Sequence, residues 1–91
     1  MGLTAKERRT LLAESHRLRP VAVIAAGELS EGAVEHVRAS FAGHELLKVR
    51  IHADSGEECD TAATELARRV PCELVKRIGR VVVLYLASAN P

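Results

Sequence analysis

Lys48 and Arg50 stand two residues apart in HELLKVR, the segment from His44 to Arg50. Apolar Leu47, Val49 and Ile51 alternate with them. In an extended strand that spacing puts both cations on one face, because successive side chains point to opposite sides. Arg77 and Arg80 flank Gly79, and Lys6, Arg9, Arg17 and Arg19 lie in the first twenty residues. Cations spaced in this way do no bond-making chemistry. If they converge, they neutralise a polyanion; if they do not, each is a solvated side chain. A second group is Ala25-Ala26-Gly27-Glu28, followed by Ser30 and Gly32. This is a turn between an apolar run and a helix, where free N–H groups and the helix dipole favour an anion.

Other chemistries find little support. His16, His36, His44 and His52 lack metal-ligand spacing, and Cys59 and Cys72 form no Cys-x-x-Cys pair. Both cysteines read as reduced core residues. Ser15-His16 is adjacent on a helix and does not face itself. No nucleophile elbow, Walker loop or dinucleotide fingerprint is present. The expectation is therefore no enzyme, no cofactor, no metal and no small-molecule substrate. Phe41 and Tyr85 are the aromatic residues, too few for a base-stacking platform. Binding should be electrostatic and salt-dependent.

The net charge is only +1, but it is blocked along the chain. Residues 1–20 carry +3, 21–47 carry −3, 48–52 carry +2, 53–65 carry −5 and 66–91 carry +4. Three basic blocks meeting in space would make one positive face.

The 91 residues, 47% apolar and 27% charged, make a single domain over 1–91. No apolar run is long enough to span a bilayer and no secretory leader is visible, so a cytoplasmic protein is expected. Thr4 and Glu7 form a capping box that opens a helix over about 5–16. Leu11, Leu12 and Ser15 lie on its buried side, with Lys6, Arg8, Arg9 and Arg17 outward. Pro20 ends that segment. Val21 to Ala26 is continuously apolar, as in a strand buried on both faces. Ser30 caps a helix to about Ala42, and Glu45 to His52 is an alternating strand. Ser55 and Glu58 cap a third helix, about 57–70, and Pro71 stops it. Glu73 to Ile78 and Val81 to Leu86 form a hairpin across Gly79-Arg80, and the tail from Ala87 is expected to fray. The order α-β-α-β-α-β-β gives an α+β two-layer sandwich with a four-stranded mixed sheet.

Three blocks together resemble the CRM domain of the YhbY-like RNA-binding proteins: HRLRPVAVIAAGELSEGAV from His16, HELLKVR from His44, and IGRVVVLY from Ile78 to Tyr85. The resemblance implies a fold similar to the C-terminal domain of translation initiation factor three. It implies a monomer that binds structured ribosomal RNA, on the large subunit or a pre-ribosomal particle, during ribosome assembly. It also implies a Gly-x-x-Gly loop that clamps the RNA backbone. Aligned on Ile24 and on Leu29 to Gly32, the four loop positions here are Ala25, Ala26, Gly27 and Glu28, so both signature glycines are absent. Gly32 matches the family, whether for close packing or for backbone contact with RNA; His16 and His44 also match it, which implies structural side chains bonded to backbone. The implied RNA-binding set is Lys6, Arg9, Arg17, Arg19, Ala25, Ala26, Gly27, Glu28, Ser30, Gly32, Lys48, Arg50, Arg77 and Arg80. The altered loop also allows a protein-interaction module that keeps the fold and has lost RNA.

Overall fold

A computed structural model describes residues 2–87. Its elements follow the expected order: α1 (Ala5–Ser15), β1 (Pro20–Ala25), α2 (Glu31–Ser40), β2 (Leu46–His52), α3 (Gly56–Arg69), β3 (Glu73–Ile78) and β4 (Val81–Tyr85). The strands form one mixed sheet in the order β1-β2-β4-β3. β1 pairs parallel with β2, while β4 pairs antiparallel with both β2 and β3. Beyond Ala87 the expected frayed tail lies outside the described residues.

Amphipathic α2 and α3 form the second layer. Val34 and Val37 of α2 and Cys59, Ala63 and Leu66 of α3 pack on Leu47, Val49 and Ile51 of β2 and on Val82 and Leu84 of β4. These are the odd positions of β2, so its even positions, Lys48, Arg50 and His52, face the other way. On that other face α1 lies across β2, β4 and β3. It buries Ser15, together with Val75 and Val83, which stand outside the main core cluster.

Two apolar strands that look alike in sequence end up in different places. β4 is central, and Val82, Val83 and Leu84 are all 0% exposed. β1 is an edge strand, and the expectation that it is buried on both faces fails. Only Ile24 is buried, whereas Val21 is 38% and Val23 60% exposed. The cause is coverage: α2 packs on one side of β1, while α1 ends before reaching the other.

Candidate nucleic-acid interface

The α1 capping box forms as expected, with Thr4 N donating to Glu7 Oε1 at 2.8 Å and Glu7 N to Thr4 Oγ1 at 3.0 Å. Arg8, expected outward, turns onto the sheet instead. Its Nη1 donates to the carbonyls of Leu74 and Val75, each at 2.8 Å, where β3 bulges against β4. A charged donor serving two strand carbonyls fastens α1 to the sheet. Lys6 and Arg9 are left exposed.

After α1 the chain turns toward β1. Lys48 Nζ donates to Leu18 O at 3.3 Å, which ties this turn to the middle of β2 and brings Arg17 and Arg19 to the edge where Pro20 pairs with Lys48. Lys48 is half-buried; Arg17, Arg19 and Arg50 are exposed. Across the sheet, Lys48 pairs with Val83 and Val83 with Lys76, so Lys76 joins the same face. Lys76 was not among the sequence candidates. Its pairing with Val83 across the β3 bulge could be seen only once the register was known. Among the described residues, the side chains of Lys6, Arg9, Arg17, Arg19, Arg50 and Lys76 make no hydrogen bond or ion pair.

The remaining candidate cations stand elsewhere. Arg80 is at the hairpin tip, half-buried, with Nε donating to Ala53 O at 3.0 Å. Arg77 lies on the opposite face, over α3. It forms an ion pair with Asp60 and donates from Nη1 to Gly79 O at 2.8 Å. Asp60 holds the guanidinium pKa above its usual value. Gly56 at the start of α3 lets that guanidinium sit close, for a Cβ there would stand 3.1 Å from Arg77 Nη2.

The helix-facing side is also where most acidic residues fall. Glu28, Glu31 and Glu35 line the start of α2, and Asp54, Glu57, Glu58, Asp60 and Glu65 run from the start of α3. Its arginines are occupied. Arg38 pairs with Glu35 and donates to Val70 O at 2.8 Å and Arg69 O at 3.0 Å. Arg69 donates to Leu29 O at 2.7 Å. Arg68 pairs with Glu65, lowering the carboxyl pKa and raising its own.

In the β1–α2 turn, Ala26 N donates to His52 O at 2.8 Å and Glu28 N to Ala25 O at 2.9 Å. Ser30 caps α2 by accepting from Ala33 N at 3.1 Å. Gly27 does not adopt a positive φ, and a Cβ there would meet nothing within 4 Å. The turn therefore has no conformational demand for glycine. Gly32 is also open: a Cβ would find only Ser30 Oγ, at 3.9 Å. Close packing within the chain thus does not explain Gly32. Exposed Glu28 and Glu31 stand at the positive end of α2, so this helix start is already supplied with negative charge.

Two smaller expectations change. Ser55 caps α3, but Glu58 Oε1 accepts from Asp54 N at 2.6 Å rather than from Ser55 N, so the second capping box is only half formed. His16 and His44 are exposed and make no side-chain hydrogen bond among the described residues. The histidine held at backbone is His36, whose Nε2 lies 3.1 Å from Val21 O. Cys59 is buried, and burial raises its pKa; half-buried Cys72 is pushed up to about 12 by burial and then by Glu73. Neither is a reactive thiolate at neutral pH. Among the described residues no group of three or more acidic, histidine or cysteine residues could hold a metal, and no helix is long and apolar enough to cross a membrane.

Comparison with known proteins agrees with the fold. The sequence model of the CRS1/YhbY (CRM) domain matches residues 3–85. A "Probable RNA-binding protein" of Pseudomonas aeruginosa is 26% identical over 91 residues, covering 100% of this chain and 88% of its own. A second, of Bacillus subtilis, is 28% identical over 86 residues, covering 94% of this chain and 90% of its own. The solution structure of a hypothetical protein from Staphylococcus aureus superposes with a TM-score of 0.84 at 27% identity, covering 98% of this chain and 94% of that one.

Proposed function

The chain belongs to the CRS1/YhbY (CRM) domain family, and from that premise we propose that it binds RNA with the α1 side of its sheet. The observation that carries this reading is the sorting of charge. Lys6, Arg9, Arg17, Arg19, Arg50 and Lys76 share that side and have no partner among the described residues, while most carboxylates stand with α2 and α3. A molecule with a formal charge of only +1 can therefore present a cationic face to a polyanion and turn its acidic side away. Arg8 serves the face indirectly, by fixing α1 in place, and Lys48 both fixes the following turn and adds its charge to the face. Phosphates meeting these cations release condensed counterions, so affinity falls steeply with salt.

The target in this reading is ribosomal RNA of the large subunit or its precursor. The protein acts in the cytoplasm as a monomer during ribosome assembly, without cofactor or chemical step. The RNA-binding names of the relatives support RNA as the ligand and say nothing of which RNA. Glu28 and Glu31 make the start of α2 a poor phosphate clamp, which moves the main contact to the sheet side. The same two residues favour a second reading, a protein-interaction module. Sedimentation of a cell extract on a sucrose gradient separates the two. Co-migration with ribosomal particles that is abolished by RNase is the expected result. A discrete complex that survives RNase would establish the second reading instead. Replacing both Lys48 and Arg50 by alanine should flatten the salt dependence by roughly one unit per lost phosphate contact.

A further inference from the structure

One register row crosses all four strands on the α1 side: Val23 pairs with Arg50, Arg50 with Val81, and Val81 with Ile78. α1 does not reach this row. Val23 is 60% and Ile78 45% exposed, and Val81 is half-buried between them. Arg50 stands in the middle, exposed, its side chain without a hydrogen bond or ion pair among the described residues. Three inter-strand steps make the row roughly 14 Å long. One row toward α1 lie Lys48 and Lys76. The result is an apolar strip with a bare guanidinium at its centre and cations along one flank.

Resting on the RNA reading above, we propose that this strip takes the bases of an unpaired RNA segment, so that the protein prefers single-stranded loops or bulges to duplex. A duplex offers this face sugars and phosphates and leaves Val23 and Ile78 against polar atoms. An unpaired segment offers flat, weakly polar base faces, which lie on aliphatic side chains and stack on guanidinium planes. Its phosphates then fall to Lys48, Lys76 and Arg19. Charge complementarity selects a polyanion over an apolar partner. The strand edge is partly closed to an added protein strand, because His36 already stands against the Val21 carbonyl. Stacking of this kind tolerates any sequence.

The test is fluorescence-anisotropy titration of a labelled unpaired RNA of about twelve nucleotides, within the site sizes of single-strand binders, against the duplex of the same sequence. Wild-type protein should bind the unpaired RNA at least about fivefold more tightly. Val23→Ser with Ile78→Ser should cost about tenfold on the unpaired RNA, leave duplex affinity unchanged and keep the salt slope, since no charge is lost. Arg50→Lys keeps the charge and removes the plane. It should reproduce the loss on unpaired RNA, and it guards against misfolding of the double variant. Wild-type preference for duplex, or unchanged affinities in both variants, overturns the strip while leaving RNA binding intact; the latter is the outcome expected if a protein covers it. Failure of the wild type to bind either RNA overturns the functional reading as well.

Discussion

On the α2–α3 side of the sheet, Arg38, Arg68, Arg69 and Arg77 each meet a carboxylate or a backbone carbonyl. On the α1 side, Lys6, Arg9, Arg17, Arg19, Arg50 and Lys76 meet neither among the described residues. The same residue type thus performs two jobs in one small domain. Where a guanidinium has a protein partner it is part of the scaffold. Where it has none, its charge is available to a ligand. A count of basic residues cannot separate the two, since both sides contain them. The sharpest contrast is between neighbours on α1: Arg8 is bonded to β3, while the Arg9 side chain has no partner among the described residues.

The largest expected effect tests that contrast through stability. Arg8→Ala strands the Leu74 and Val75 carbonyls, and Arg38→Ala strands those of Val70 and Arg69. Losing charge-assisted bonds of this kind costs about 1.5–3 kcal/mol. Arg9→Ala and Arg50→Ala should each stay within about 0.5 kcal/mol of the parent. Urea denaturation of the four variants reads both halves. Equal losses from all four would erase the distinction between scaffold and ligand cations.

The next effect tests the same contrast through binding. Replacing Arg17, Arg19 and Arg50 together by alanine should lower the slope of log affinity against log salt by roughly two to three units, with the urea midpoint unchanged. Replacing Arg68 and Arg69 removes nearly as much charge from the other side and should leave the slope within about half a unit. A slope that follows net charge alone, whichever face loses it, would mean that the face has no specific role.

Gly32 probes whether the contact reaches round to α2. An alanine there meets open space and should stabilise the protein by about 0.5–1 kcal/mol, since glycine is poor inside a helix. If RNA contact is confined to the α1 side, affinity will not change. A more stable but weaker-binding Gly32→Ala protein would place RNA backbone against α2 and extend the interface past the sheet edge.

The parts of this arrangement that could be read from sequence were those set by local rules. Thr4 with Glu7, Ser30, and the alternation of Leu47, Val49 and Ile51 each act within a few residues, and each fell where expected. Strand position is not local. Val21 to Ala26 and Val81 to Leu86 are both continuous apolar runs, but whether such a run is central or at an edge depends on which helix covers it. The exposed Val23 row was therefore invisible from sequence. The fate of each arginine was hidden for the same reason. Arg8 and Leu74 are sixty-six residues apart, and nothing local to Arg8 distinguishes it from Arg9. The convergence of Arg17 and Arg19 with Lys48 was expected from charge blocks, but the register between β1 and β2 is what places them together.

The smallest expected effect is a pH dependence confined to one face. Arg68 holds the Glu65 carboxyl below the usual carboxylate range, first by a hydrogen bond. A depressed folded pKa contributes stability that is present above the unfolded value, about 4.3 for glutamate, and lost as pH falls through the folded value. Wild-type protein should therefore lose urea resistance between pH 5 and 3 more steeply than Glu65→Gln. The difference should be small, because the pair is exposed to solvent, and should shrink further in salt. Arg68→Ala removes the same pair from its other end and should flatten the acid limb as Glu65→Gln does. If Arg68→Ala leaves the acid limb as steep as the parent's, Glu65 acts through the summed field of the molecule and not through its individual partner, and the pairing that marks this face has no energetic weight.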